Sequence, residues 1–461
     1  MDFTAAERAS LWKQVIQSIE HHTKAVGSSA VAPPLNIEEI RNFIKGEKMP
    51  SAKEAIEHVV FGMTKYMLHT THPGYFGLYN PKVTFAGILG DTLTASFNPQ
   101  LAAWSHSPFA LEVERSLLIA FGKRFGYSES KIDGTFCSGG AEANHTALLC
   151  ALNHHFPPYA SEGLLAIQKP VAVYCSAQVH HSITKAAGVC GLGYHSVREI
   201  PTIDLQMDVE ALEKQIILDQ AAGIHPLMVV ATMGTTGTGN IDPIESIHQL
   251  KEKYGFWLHA DGAYGGALIV SKTYSSLLKG IGLSDSITFD AHKWLSVPMG
   301  GSLFITQHSN ILSQTFSVQA DYMPKEAQKL GVVDPFAHSL QWSRRFIGLK
   351  LYMALLFYGW EGFEQLVDGQ IAKGKLLREK LIAKGWTLYN QTELPVITFG
   401  NSSLEKNPNK ALEIVQKVIQ KGNAWISVYR TNGINALRAC ITNYDTTELE
   451  MDQLLTDLNE G

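Results

Sequence analysis

The chain has 461 residues, 45% of them hydrophobic and 18% charged, the balance of a packed protein of two to four domains' length rather than a disordered one. Thirty-eight Lys and Arg against 43 Asp and Glu give a net charge of −5, which leaves no electrostatic footprint for nucleic acid or an anionic membrane. Five cysteines (Cys137, Cys150, Cys175, Cys190 and Cys440) without CxxC spacing argue against a disulfide framework or a metal ribbon, and with MDFTAAERAS lacking a signal-peptide pattern they predict a cytoplasmic protein.

Three helices are predicted first. Thr4 and Glu7 stand at capping-box spacing ahead of Leu11, Val15 and Ile19. After Pro33 and Pro34, Asn36 with Glu39 opens a helix carrying Ile37, Ile40 and Ile44. Ser51 with Glu54 opens a third, with Ile56, Val59, Val60 and Met63 on one side. This N-terminal helical arm, 1–70, has an apolar stripe that needs cover, and a partner subunit is one candidate.

From about residue 130, short apolar runs alternate with helical stretches: 171–176 (VAVYCS), 227–232 (LMVVAT), 256–260 (FWLHA), 286–289 (SITF) and 302–306 (SLFIT). Near-continuous apolar strands of this kind predict an α/β fold with a mostly parallel central sheet covered on both faces, within a large domain at 71–345. A long helical stretch follows at 343–384. Its apolar run LYMALLFYGW, 351–360, is half a membrane span and reads as a buried helix. Gly369 to Lys375 imitates a phosphate loop, but Leu376 replaces the required hydroxyl and the run reads as helix interior. Strands at 394–399, 424–428 and 436–442, and a last helix opened by Thr447 with Glu450, complete a small C-terminal α/β domain at 346–461.

Ligands of open α/β sheets bind beyond the carboxyl ends of the strands. One such edge here carries Ser138-Gly139-Gly140-Ala141 running into a helix, then Gln178, His180 and His181, then Gly234-Thr235-Thr236-Gly237, then Asp261-Gly262-Ala263, then Asp290-Ala291-His292-Lys293. Small residues entering a helix N-terminus make an anion cradle. A lysine amine can hold an aldehyde as a Schiff base, and a carboxylate can pair with a protonated ring nitrogen. Pyridoxal 5′-phosphate needs that set. Each piece alone is commoner as an ordinary turn, cap or solvated side chain; their order and spacing carry the argument. The adjacent histidine pairs lack metal-site spacing, and no metal is expected.

The blocks SGGAEAN, SAQVHHSITKA, ATMGTTGTGNIDPI, WLHADGAYGG and DAHKW, in that order, resemble the group II pyridoxal-phosphate-dependent amino-acid decarboxylases, the aromatic-L-amino-acid decarboxylase family. The resemblance runs from His72 to Asp445 and implies a fold type I, aspartate-aminotransferase-like architecture and a homodimer with a shared active site. It implies that Lys293 is the Schiff-base lysine and that Asp261 pairs with the pyridine nitrogen. Ala263 and His180 would flank the ring. Gly140, Ala141, Thr236 and His292 would surround the cofactor, and Tyr322 would be the proton donor. Asp290 departs from the family's common Asn, and a carboxylate there would face a dianionic phosphate unless it turns away or is protonated, which puts its direct contact with the phosphate in question.

Decarboxylation to an amine and CO₂ is the expected reaction. Transamination or aldehyde-forming oxidative deamination is the alternative on the same scaffold. The retained Tyr322 and His180 favour the decarboxylase, and the retained Lys293 and Asp261 speak against a non-catalytic binding protein. The strip His72 to Pro81 (HPGYFGLYNP) resembles the family's substrate pocket, with Tyr79 and Pro81 as contacts; it is aromatic and has no arginine to clamp a distal carboxylate. Ser343 aligns with a position near the substrate ring, where Ser accompanies phenolic substrates. A tyrosine- or DOPA-like substrate is therefore expected. A helix N-cap would explain the same serine.

Overall fold

The computed structural model describes residues 3–45, 50–318, 330–407, 409–431 and 433–459. The chain divides into two compact units: Val83–Ala372 with Asn390–Val396, and Met1–Lys82 with Lys373–Tyr389 and Ile397–Gly461.

The first of these is built on a seven-stranded sheet. Its strands are β1 (Asp133–Cys137), β2 (Val171–Ser176), β3 (Val197–Ile200), β4 (His225–Thr232), β5 (Trp257–Asp261), β6 (Ser286–Asp290) and β7 (Ser302–Thr306), in the order β1-β7-β6-β5-β4-β2-β3. β3, β2, β4, β5 and β6 run parallel, and β7 is antiparallel to both β6 and β1. Every residue of β2, β5, β6 and β7 is buried, which is why these runs read as unbroken apolar segments. β2 and β7 fall on their predicted bounds; β4 starts two residues early, β5 starts and ends one residue late, and β6 ends one residue late. β3 (VREI) escaped the sequence reading because its charged centre breaks the apolar run. The helices Phe85–Phe97, capped by Thr84, and Pro108–Arg124, with proline at its first position, were also missed.

The helix Gly140–His155 packs against the sheet through Ala147, Leu148 and Ala151, within a core shared with Val173, Met228, Trp257 and Phe304. The helix Leu349–Ala383 begins six residues after Ser343, so Ser343 caps no helix there. Gly359 interrupts it at φ 63°, a left-handed conformation that a Cβ would strain. LYMALLFYGW lies in this helix but is not wholly buried: Leu356, Phe357 and Tyr358 are 61%, 57% and 40% exposed. Gly369 to Lys375 is helix interior, as expected.

In the other unit the predicted capping boxes are formed at α1 (Ala5–Ala25) by Thr4 and Glu7 and at α3 (Ala52–Lys65) by Ser51 and Glu54. Asn36 Oδ1 accepts from the amides of Glu38 and Glu39 at the start of α2 (Ile37–Lys45). None of these three helices has a buried residue, and Trp12, Ile16, Ile44 and Val59 stand in solvent. A four-stranded sheet follows, with strands β8 (Thr387–Leu388), β9 (Val396–Gly400), β10 (Ser427–Thr431) and β11 (Ile434–Cys440) in the order β8-β9-β11-β10. Leu377, Phe399, Val418, Leu437 and Leu454 make its core. The last helix, Glu448–Asn459, opens on the Thr447 and Glu450 pair.

Candidate active site

Sheet register assembles one half of the site. Cys137 of β1 pairs with Ser302 of β7, and Ser302 pairs with Asp290 of β6. That row brings the residues after β1 beside those after β6. Asp290 Oδ1 accepts from Ser302 Oγ at 2.5 Å, and its Oδ2 lies 2.9 Å from Lys293 Nζ. A Cβ added at Gly140 would fall 2.8 Å from Asp290 Oδ2, so the glycine is what lets the helix N-terminus approach the carboxylate. The space before Gly139 is open to 4 Å. Asp290 is thus turned to Lys293 and Ser302. His292 sits alongside, its Nε2 3.9 Å from Asp290, and burial pushes its pKa down while Asp290 opposes that shift. Glu142 accepts from Ser138 N, Ser138 Oγ and Gln341 Nε2.

The other half centres on Asp261 at the end of β5. Its Oδ1 accepts from the Ala263 amide at 3.1 Å and its Oδ2 from Asn144 Nδ2 at 2.9 Å. His180 follows β2 and is an exposed residue whose Nδ1 is 2.9 Å from Ser182 Oγ. Partial burial moves its pKa below the usual histidine value, with Asp261 pulling the other way. Thr236 lies half-buried in the turn after β4, and Ala141 is exposed in the first turn of the helix after β1. Trp294, buried next to Lys293, stacks on Tyr264 at 4.7 Å and anchors the lysine's segment. The Lys293 side chain is 22% exposed, enough for an amine to meet a ligand from solvent. The donor set fits pyridoxal phosphate. A buried carboxylate with fixed donors suits the ring nitrogen, an accessible lysine suits the aldehyde, and an open helix N-terminus suits the phosphate.

Tyr322 lies outside the described residues. Ser343 is exposed in a non-helical segment. Tyr79 and Pro81 belong to the other unit and are buried within it. There Tyr75 stacks on Trp425 at 5.3 Å. The strip itself carries no arginine, but Arg438 of β11 donates to Gly77 O at 3.0 Å and lies 5.1 Å from the Tyr79 ring centroid. The sequence reading looked only along the strip and missed it. It also gave no role to Asn144 and His259, although both stand in the blocks SGGAEAN and WLHADGAYGG. Among the described residues, no group of three or more His, Cys, Asp or Glu could hold a metal ion.

A family model described as the pyridoxal-dependent decarboxylase conserved domain matches residues 41–401. The chain is 28% identical to the aromatic-L-amino-acid decarboxylase of Bacillus atrophaeus, over 99% of this chain and 95% of that protein. It is 29% identical to the cysteine sulfinic acid decarboxylase of Mus musculus, over 85% of this chain and 83% of that one. The crystal structure of mouse CSAD superposes with a TM-score of 0.92 at 26% identity, covering 99% of both chains. The fold expected from the sequence, fold type I with a mostly parallel central sheet, is the one observed. The chain therefore belongs to the pyridoxal-dependent decarboxylase family, as a carboxy-lyase of amino acids with pyridoxal 5′-phosphate as its cofactor.

Proposed function

We propose that this decarboxylase acts on an aromatic L-amino acid of the tyrosine or DOPA type. The near full-length match to the Bacillus aromatic-L-amino-acid decarboxylase is the observation that carries this reading. Ser343, exposed and not engaged as a helix cap, supports it. Pyridoxal phosphate, when bound, supplies the electron sink for the charge left at Cα as CO₂ departs. Asp261 would keep a proton on the ring nitrogen by its charge, held in place by Asn144 and the Ala263 amide. Lys293 would hold the cofactor covalently. His180 and Ala263 would flank the ring, while Gly140, Ala141, Thr236 and His292 would line the rest of the cofactor. Tyr322 would deliver a proton to the substrate Cα, which favours amine formation over aldehyde formation or transamination.

An acidic substrate is the competing reading, supported by the mouse cysteine sulfinic acid decarboxylase. The discriminating experiment is CO₂ release from tyrosine, DOPA, tryptophan, cysteine sulfinate, aspartate and 2,4-diaminobutyrate under identical conditions. Highest kcat/KM on tyrosine or DOPA is expected; highest kcat/KM on cysteine sulfinate or aspartate overturns the reading.

We further propose a homodimer. The unburied apolar residues of the N-terminal arm and a cleft of about 520 Å³ lined by Phe97, Phe109, Phe346 and Leu356 are surfaces that a second copy would cover. All five cysteines are free and buried, and no described helix is long and apolar enough to cross a membrane; a cytoplasmic location is proposed with them.

A further inference from the structure

Asn144 lies in the second turn of the helix Gly140–His155, is 1% exposed, and uses both ends of its amide. Its Nδ2 donates to Asp261 Oδ2 and to Ser182 Oγ, each at 2.9 Å. Its Oδ1 meets Thr288 Oγ1 at 2.7 Å and His259 Nε2 at 3.0 Å. An ionised carboxylate can only accept, so the NH₂ group must face Asp261 and the carbonyl must face His259. His259 is fully buried, and burial takes its pKa down to about 4, so the ring is neutral. With its hydrogen on Nε2, its Nδ1 must accept, and Ser286 Oγ at 2.8 Å is the donor. Trp257 Nε1, which can only donate, fills the acceptor side of Ser286 at 2.9 Å. The His259 Nε2 hydrogen is shared between Asn144 Oδ1 at 3.0 Å and Thr288 Oγ1 at 3.2 Å, both of which can accept it.

The same logic continues outward. Ser182 Oγ accepts from Asn144, so its own hydrogen is left for His180 Nδ1 at 2.9 Å, and the Ser182 amide donates to that nitrogen at 3.2 Å. Two donors on Nδ1 leave the proton of a neutral His180 on Nε2.

We propose that Asn144 is the positioning residue for two groups around the cofactor ring, the partner of its nitrogen and one that flanks its face: one amide fixes the carboxylate of Asp261 and, through Ser182, the Nε2-protonated tautomer of His180. This rests on the roles proposed above for Asp261 and His180. A flipped amide would set its carbonyl oxygen against the Asp261 carboxylate and its NH₂ group against the His259 Nε2 hydrogen, so one orientation is fixed. Removing Asn144 would loosen both groups together, whereas removing the Ser182 hydroxyl would free His180 alone.

The test uses the holoenzyme, with ¹⁵N-histidine NMR of the ring nitrogens and His180→Gln to assign the His180 signals. Wild type should show His180 protonated at Nε2 and bare at Nδ1. Asn144→Ala should mix the tautomers, release cofactor roughly ten- to a hundredfold faster, the scale of one hydrogen bond to a charged group, and lower kcat with KM unchanged. Ser182→Ala should mix the tautomers with cofactor release as in wild type, which separates this role from general loosening and serves if Asn144→Ala fails to fold. A wild-type His180 protonated at Nδ1, or a Ser182→Ala protein with the wild-type tautomer, overturns the inference. Asp261→Asn is the control: if it retains wild-type activity, the assignment of Asp261 fails; if it is inactive while Asn144→Ala behaves as wild type, only the present inference fails.

Discussion

Lys293 Nζ and Asp290 Oδ2 stand 2.9 Å apart across one turn at the end of β6, and the carboxylate is itself buried. The pair gives the Asp290 carboxylate partners of its own within the chain. The lysine and Ser302 draw both oxygens to themselves, and the glycine at 140 gives the carboxylate room.

Asp290→Ala deletes that carboxylate and the acceptor of a buried hydroxyl. Breaking such a pair is expected to cost about 2–3 kcal/mol, below the full value for a buried pair because the lysine is partly in solvent. Urea denaturation of the apoenzyme, in which the Lys293 amine is not taken up by the cofactor, checks it. Asp290→Asn, which restores an acceptor for Ser302, should recover part of the loss; equal stability of Asp290→Ala and wild type would show that the pair contributes nothing.

Stability should fall on the acid side through His259. Burial holds its pKa at about 4 in the fold, against about 6.5 in an unfolded chain. Between those values the unfolded state binds a proton that the folded state refuses. This contribution is therefore complete above about pH 6.5 and is lost as pH drops towards about 4. Between pH 7 and 5 it amounts to about 2 kcal/mol. Denaturation curves at the two pH values should show His259→Asn losing about that much less than wild type. Parallel losses would mean that His259 is not the group involved.

Tyr322→Phe should keep the yellow, borohydride-bleachable colour of the lysine-bound cofactor and lose amine formation. The phenol is the proposed proton donor, and a phenyl ring preserves the side chain's bulk. Residual turnover should shift to aldehyde or ammonia. Product analysis by mass spectrometry decides it, and wild-type amine yield would remove Tyr322 from the chemistry.

Ser343→Gly should move specificity towards tryptophan. At the position proposed for Ser343, a bicyclic ring would need the room that a serine side chain takes, and a single such contact is worth about 1–3 kcal/mol, or roughly 10–200-fold in kcat/KM. Competition between tyrosine and tryptophan reads the ratio directly. A wild-type enzyme that already prefers tryptophan would end this account of Ser343.

Phe97→Asp with Leu356→Asp should give a monomer. Both side chains are exposed, at 80% and 61%, and both line the apolar cleft. A buried carboxylate on each facing copy costs far more than the lost apolar area. Light scattering of the double variant and of wild type should differ twofold in mass; a monomeric wild type contradicts the dimer.

Much of this protein was determined locally and so could be read from the sequence. The capping pairs Thr4 with Glu7 and Ser51 with Glu54 act over three residues, and they are formed. The strands VAVYCS and SLFIT are apolar throughout because both faces of the sheet are covered, and they lie on their predicted bounds. Asp261 stands at a strand end and Lys293 just past one, where ligands of open α/β sheets bind, so position along the chain marked them as candidates. Tertiary structure alone decided the rest. Asp290 meets Ser302 only because β7 returns antiparallel beside β6. Asn144 reaches Asp261, 117 residues away, only because the helix Gly140–His155 lies on the sheet at that height. The helix around Leu356 is apolar on its outer face as well as its inner one, and hydrophobicity alone marked the whole run as buried. Sequence spacing records which groups a segment offers; which partners meet is fixed by register and packing between segments far apart in the chain.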